Sequence, residues 1–472
     1  MGIRCLLAFC LSASAWAWTP AARETQADPR LHNAFRREPQ NDWVFVHLEG
    51  DPSTIGFQHG YLLAPEIQDG FRVVKAGLTH DGKKDWAFFR DAAQNVLWPH
   101  VDKEYRAELK GIVEGLHARG AEMDLWDLVA YNAWLEMSPY YTNWYDRAHK
   151  VPGAAPRPAP EHCSAFVATG SYTKDGRIVI AHNNWTEYKE GSHWNVIFDI
   201  VPSAGHRILM DGMPGLIHSG DDFGENSAGI VITETTIGYF DAFDPNGVPE
   251  FVRARKAMQY SSSIDDFARI MKDGDNGGYA NTWLVADSKN NEIARLELGL
   301  KHVTLARTKD GYFVGSNFPI DPALIHDEAP AFPVHDMSIS ANARHKRWDE
   351  LMTEYKGKID LKMAEKFLAD HYDTYAKRAN SPDERTLCGH IDLSPRGSQP
   401  WQPPYGIAGT VQNKATDAAM AAKMELVAAM GHSCGLNFKA ASQLKNHPEF
   451  DWEKDILRDL DSYPWTKFQA AQ

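Results

Sequence analysis

The string Val151-Pro152-Gly153-Ala154-Ala155-Pro156-Arg157-Pro158-Ala159-Pro160 divides the chain into halves of different character. Proline fixes φ and has no N–H to give, so this run neither propagates a helix nor sits inside a sheet. Before it, residues 66–146 repeat apolar side chains at helical spacing, with Val73, Val74 and Leu78 on one stripe and Leu128, Tyr131 and Leu135 on another. Residues 43–48 predict an early strand, Gly50-Asp51-Pro52 a turn, and Ser53 the cap of a helix in which His59-Gly60 marks a close helix contact. After the joint the pattern changes to strands, over residues 164–169, 177–182, 194–201, 229–236, 292–298 and 312–316, with a Gly-rich loop entering another strand at 277–287. Residues 249–273, 342–377 and 414–430 predict helices again. Helices, a proline joint, many strands and more helices make a layered α+β protein. The length would fill about three average domains or one large layered unit. We expect residues 18–147 to form a mainly helical segment, 148–162 a joint, and 163–472 to fold with 43–147 as one domain.

Directly after the joint stands Pro160-Glu161-His162-Cys163-Ser164-Ala165-Phe166. A cysteine opening a strand behind an easily cut linker is where an N-terminal nucleophile would be made. Breaking the His162–Cys163 bond would give one residue a thiol and a free α-amine. With an ordinary pKa of about 7.7–8.0, that amine suits the task of taking the thiol proton near neutrality. The bland alternatives for Cys163 are a small buried hydrophobe or half of a disulfide. The following turn leaves register open: a loop over 170–176 sets Cys163 opposite Asn183 and next to His182, whereas a tight Asp175-Gly176 turn sets it opposite Tyr188.

The first seventeen residues read as a secretory leader. Arg4 supplies the charged region, Cys5 to Leu11 the apolar run, and Ala15-Trp16-Ala17 a cleavage site. Ser12 and Ser14 interrupt that run well before the roughly 20 apolar residues of a membrane span. We therefore expect a secreted or periplasmic protein, or in a eukaryote a lysosome-like compartment, without a transmembrane segment in the mature chain. Removal of the leader takes Cys5 and Cys10 and leaves Cys163, Cys388 and Cys434. Three is odd, and an odd thiol in an exported protein suggests a free reactive group or intermolecular pairing. The simplest partition pairs Cys388 with Cys434 and leaves Cys163 free, although spacing alone does not give connectivity. The net charge of −14 argues against nucleic acid or an anionic membrane as the main partner. The single sequon, Asn184-Trp185-Thr186, falls inside the proposed site, where a glycan would block it.

Five blocks carry a resemblance: Cys163-Ser164-Ala165, His182-Asn183-Asn184-Trp185, Ser219-Gly220-Asp221-Asp222-Phe223, Glu234-Thr235-Thr236-Ile237-Gly238 and Asn281-Thr282-Trp283. In that order they resemble the phospholipase B-like (lamina-ancestor-related) proteins, within the N-terminal nucleophile hydrolases, and more distantly the penicillin acyltransferase and choloylglycine hydrolase relatives. The latter use an arginine and an aspartate shortly after the nucleophile, where His182 and Asn184 stand here. The resemblance implies an αββα sandwich of mainly antiparallel sheets, a precursor that cuts itself between His162 and Cys163, and hydrolysis of a carboxylic ester or amide. It implies Cys163 as nucleophile, His182 as a member of the catalytic cluster and Asn281 as oxyanion donor. Asn184, Trp185, Asp222 and Thr235 are expected to line the substrate site. A C-terminal disulfide in the family is similar to a Cys388–Cys434 pair. The substrate it implies is an acylated small molecule or lipid, with no cofactor and no metal.

Rival chemistries are weaker. Gly431-His432-Ser433-Cys434-Gly435 fits G-x-S-x-G, but that motif needs a strand before it, a helix after it, and acid then base downstream; residues 424–430 read as helix, and His447 precedes Asp451. Twenty histidines include no H-E-x-x-H pair. An N-acyl amide hydrolase or acyltransferase is the nearest alternative in chemistry, and a secreted binding protein that keeps the fold without catalysis the alternative in class. Trp185, Trp194, Phe223 and Trp283 could accept an acyl chain or simply be core.

Overall fold

The computed structural model describes residues 28–159, 163–220 and 223–471. The leader expected at 1–17, His162 of the expected cleavage bond and Asp222 lie outside the described residues.

Fifteen strands are described: β1 (Phe35–Arg36), β2 (Val44–Gly50), β3 (Ser164–Thr169), β4 (Val179–Glu187), β5 (Val196–Pro202), β6 (Ile208–Gly212), β7 (Gly224–Asn226), β8 (Ile230–Thr236), β9 (Asn281–Asp287), β10 (Glu292–Leu298), β11 (Val303–Thr308), β12 (Gly311–Gly315), β13 (Ala408–Asp417), β14 (Glu425–Met430) and β15 (Thr466–Gln469). They form a nine-stranded sheet in the order β1-β2-β5-β6-β7-β8-β9-β10-β11 and a six-stranded sheet in the order β12-β3-β4-β13-β14-β15. Every pairing is antiparallel except β2 with β5.

Side chains alternate across a strand, so each strand serves two layers. Along β3, Ala165 and Val167 pack with Val231, Leu284, Ala286 and Ile293 of the larger sheet. Phe166 and Ala168 turn the other way and pack on Trp348, Leu351, Phe367 and Leu368, from the helices Ser340–Glu354 and Leu361–Leu368. The outer face of the larger sheet, with Val46, Phe198, Ile232 and Val285, packs on Ile67, Leu109, Phe251 and Phe267 from helices of both halves of the chain. The layers therefore run helix, sheet, sheet, helix, and the segment before the joint shares one core with the segment after it.

The first α-helix, Pro52–Leu62, is capped by Asp51, whose Oδ1 accepts from Thr54 N at 3.0 Å, two residues earlier than the Ser53 cap expected. The contact predicted from His59-Gly60 is present. Gly56 and Gly60 face Gly111 and Gly115 of the helix Lys103–Ala118 so closely that a methyl on Gly60 would lie 2.0 Å from the Ile112 carbonyl oxygen. His59 Nε2 accepts from Gly215 N at 2.9 Å.

Two expectations are corrected. Residues 414–430 are not a helix: they form the end of β13, a short turn of helix at Ala418–Ala421, and β14. Alanine and methionine favour helix locally, but β14 is hydrogen-bonded on both sides, to β13 and β15, and tertiary pairing overrides that preference. A strand thus does precede Ser433, yet a turn rather than a helix follows, and Ser433 Oγ donates to Leu368 O at 2.7 Å. Second, the helical expectation over 342–377 holds only to Leu368, beyond which the chain runs largely irregularly to β13.

Candidate active site

Register brings the first two blocks together. Ser164 pairs with Asn183 and Ala165 with His182, so Cys163 extends β3 to the level of Asn184, one residue beyond the first of the two registers considered. Cys163 is buried, and its Sγ lies 3.9 Å from Asn184 Oδ1. The thiol, a ring nitrogen of His182 and a carboxylate oxygen of Glu234 all lie within 4.8 Å of one another. The backbone at Cys163 has φ +79°, a left-handed conformation that disfavours any residue with a Cβ, typically by about 1–2 kcal/mol. Its carbonyl accepts from Arg344 Nη1, which also reaches Ser164 Oγ at 3.1 Å; Nη2 donates to Asn317 Oδ1 at 2.8 Å and Nε to Ser340 Oγ at 2.9 Å. The guanidinium lies 4.3 Å over the Trp185 ring. Cys163 is therefore gripped from its carbonyl side by a fully buried cation.

His182 is fully buried. Burial, and then the positive charge of Lys414 on the neighbouring strand, holds its pKa well below the usual imidazole range, so it is neutral at pH 7. Lys414 in turn pairs with Asp211 at 3.2 Å with both side chains fully buried. The Ser219 block wraps this pair: Ser219 Oγ donates to Asp211 Oδ1 at 3.0 Å and accepts from Phe223 N at 3.1 Å. Phe223 stacks at 6.4 Å on the His182 ring.

Glu234, Thr235 and Thr236 end β8, and Thr236 pairs with Asn281, the first residue of β9. Thr235 faces the smaller sheet, close enough that a methyl on Gly315 would meet it at 2.6 Å. Tyr279 donates to Glu234 Oε1 at 2.9 Å. Asn281 is fully buried with neither amide atom hydrogen-bonded, and Asn184 Nδ2 and Thr235 Oγ1 are likewise without a partner. Buried polar atoms are nearly always paired, so the unpaired ones on Asn184, beside the thiol, and on Thr235 and Asn281, at the adjoining ends of β8 and β9, are groups a ligand could satisfy. Asn183 points to the other side of β4 and donates to Leu368 O and Leu387 O at 2.9 and 2.8 Å. Trp185, Trp194, Phe223 and Trp283 all join buried cores. Asn184 is 2% exposed, which leaves no room for a glycan on the folded chain.

A cleft of about 380 Å³ is walled by Trp134, Leu135, Tyr140, Trp401 and Trp452; Cys163, His182, Asn184 and Asn281 do not line it, and Tyr279, whose hydroxyl donates to Glu234, joins it to the cluster. Arg157 and Pro158 of the joint form part of its wall, and Asn143 holds the Arg157 backbone at 2.6 and 3.1 Å. Sequence reasoning missed Arg344, Lys414 and Asp211 as parts of the site, and gave Glu234 no role. A lone acid in the otherwise uncharged strand 230–236 was a usable signal for Glu234; Arg344, in an ordinary amphipathic helix, offered none.

The C-terminal cysteines converge as a pairing would require, but both are free thiols, each with Sγ 3.5 Å from Nε2 of His390. The disulfide expected there is not formed in the structure, and both sulfurs instead face His390 Nε2.

The phospholipase B family model matches residues 83–463. The chain belongs to the phospholipase B family. Among curated proteins it is similar to phospholipase B-like 1 of Bos taurus, 22% identical over 424 residues that cover 80% of this chain and 75% of the bovine one. It is 25% identical over 296 residues to a phospholipase B of Crotalus adamanteus, covering 57% and 51%, and 26% identical over 302 residues to an uncharacterized protein of Archaeoglobus fulgidus, covering 61% and 48%. Apart from the bovine protein, the chain spans about half the length of these relatives. Among the described residues no helix is long and apolar enough to cross a membrane.

Proposed function

We propose that this member of the phospholipase B family is an exported, self-cleaving cysteine hydrolase that removes acyl groups from lipid esters through a thioester on Cys163. The observation that carries the reading is Cys163 itself: a buried thiol beside His182, Asn184 and Glu234, on a strained residue at the head of a strand.

Maturation uses the thiol first. Cys163 Sγ attacks the carbonyl carbon of His162, the C–N bond breaks, the Cys163 nitrogen takes the proton, and water hydrolyses the resulting thioester to leave a free carboxyl and a free α-amine. The strain at φ exists only while that peptide bond does, so cleavage relieves it. In the mature chain the α-amine takes the thiol proton, and the thiolate attacks the ester carbonyl. The alcohol leaves with the proton, and water hydrolyses the acyl-thioester, returning the thiol and a fatty acid. Negative charge on the carbonyl oxygen in both steps calls for a donor, which is the role assigned to the Asn281 amide. His182, neutral and acceptor-capable, suits orientation of the amine or protonation of the leaving alcohol. The cleft's aromatic and aliphatic wall fits an acyl chain, and removal of Arg157 and Pro158 with the joint would widen it. The relatives named phospholipase B support the lipid ester as substrate.

The test is Cys163→Ala in an assay with phospholipids and with N-acyl amides. We expect one uncut chain, no fatty acid release from either substrate class, and unchanged thermal unfolding. Fatty acid release by the purified variant at the wild-type rate would reject Cys163 as nucleophile, whereas a wild-type chain that releases none from either substrate class would favour the binding-protein reading.

A further inference from the structure

A second cluster lies outside the Cys163 site. His371 follows the helix Leu361–Leu368, Cys388 and His390 lie farther along the same irregular stretch, and Cys434 lies in the turn after β14. The four ligand atoms all lie within 4.8 Å of one another. We infer that His371, Cys388, His390 and Cys434 form a structural zinc site.

Geometry carries the inference. Nε2 of His390 is 3.1 Å from Nε2 of His371, 3.5 Å from Cys388 Sγ and 3.5 Å from Cys434 Sγ. An imidazole nitrogen has one lone pair or one N–H, so it can satisfy only one of three such neighbours by a hydrogen bond. A central ion satisfies them all. Zinc–nitrogen bonds of about 2.0–2.1 Å and zinc–sulfur bonds of about 2.3 Å at tetrahedral angles require edges of about 3.3 Å for N···N and about 3.6 Å for S···N. The three edges that meet at His390 match these within about 0.2 Å, and the remaining ones lie within 4.8 Å. Two thiolates with two imidazoles are the donor set that selects zinc over oxygen-seeking ions, and four protein ligands leave no open position for catalysis. On binding, the two thiols lose their protons to solvent.

The ligands are held before any ion arrives. Cys388 N donates to Asp370 O at 3.2 Å and His390 N to Asp383 O at 3.1 Å; Arg347 clamps the Asp370 carboxylate at 2.9 and 2.7 Å; the His390 ring stacks on His432 at 4.2 Å. The site also has a task. Cys388 and His390 flank Gly389, whose carbonyl accepts from Thr410 N at 3.1 Å and where a methyl would lie 2.2 Å from Trp185 Cζ2. Leu387 O receives the Asn183 amide. Zinc would tie the irregular segment and the turn after β14 against the back of the strand that carries His182 and Asn184.

The experiment uses the full chain purified without reductant or chelator. We expect about one zinc per chain by elemental analysis, as a closed four-ligand site implies. Cys388 and Cys434 should resist iodoacetamide until a chelator is added. Cobalt replacing zinc should give visible d–d bands and near-ultraviolet thiolate charge transfer, retained in Cys163→Ala and lost in Cys434→Ser and His371→Ala. If those ligand variants fail to fold, the zinc content and cobalt spectrum of the wild-type chain decide. A Cys388–Cys434 disulfide in the peptide map would overturn the proposal. So would reduced thiols that bind neither metal, or a cobalt spectrum lost in Cys163→Ala. The first two of these outcomes leave the role of Cys163 in hydrolysis untouched, whereas the third would place the metal on Cys163 itself.

Discussion

Replacing Arg344 by methionine tests whether the grip on the Cys163 carbonyl serves the chemistry. Methionine keeps much of the volume of the side chain and removes every donor. Four acceptors lose a partner: Cys163 O, Ser164 Oγ, Asn317 Oδ1 and Ser340 Oγ. The two hydroxyls can rotate to other partners, whereas the carbonyl and the amide oxygen lose a charge-assisted donor at about 1–3 kcal/mol each, or about 2–6 kcal/mol together. Part is offset because a buried guanidinium no longer has to be kept from water. If about 3 kcal/mol of the remainder falls on the geometry of thiol attack, self-cleavage slows by about 10²-fold, since 1.36 kcal/mol is tenfold in rate. Arg344→Lys keeps the charge but not the planar fork, so it should fall between wild type and methionine. The assay follows conversion of the precursor to two fragments on denaturing gels, with thermal unfolding measured in parallel. A methionine variant that matures within about threefold of wild type, well under 1 kcal/mol of barrier, would refute the reasoning.

Asn281→Ala should lower kcat for ester hydrolysis by about 10²–10³ while leaving stability unchanged or raised, because its amide is buried without a partner in the folded chain; a lower melting temperature with unchanged kcat would make it structural instead. Gly60→Ala should force the helices Pro52–Leu62 and Lys103–Ala118 apart and cost about 1–3 kcal/mol or more in thermal unfolding, against the alternative that the helices slide without loss. Burial first, then the charge of Arg255, lowers the pKa of His59 to about 3. Between that value and the unfolded pKa near 6.5 the unfolded chain binds the extra proton, so stability is lost as pH falls below about 6.5. Relative to His59→Gln, wild type should therefore lose about 2 kcal/mol between pH 7 and pH 5, read as the difference of two melting curves. Parallel pH profiles would mean that His59 is not held neutral.

Strand-forming runs between Cys163 and Ser316 were legible because β-branched and aromatic residues and turn signals agree there with the tertiary pairing. The glycine contact at Gly60 was legible for a similar reason, since a glycine inside a helix needs a neighbour to explain it. What failed was long-range. Residues 425–430 read as helix until β13 and β15 pair with them. Arg344 and Lys414 reach the site from segments whose local pattern says nothing of it. The four ligands of the inferred zinc site are scattered from 371 to 434, so no spacing motif exposes them, and cysteine arithmetic alone pointed to a disulfide.

The central claim is that Cys163 becomes the first residue of a chain. Intact mass and N-terminal sequencing of the purified protein, prepared without boiling, test it most directly. The account predicts a fragment beginning at Cys163, absent in Cys163→Ala. A wild-type chain that remains whole after prolonged mild-acid incubation, yet still releases fatty acid from phospholipid, would contradict it.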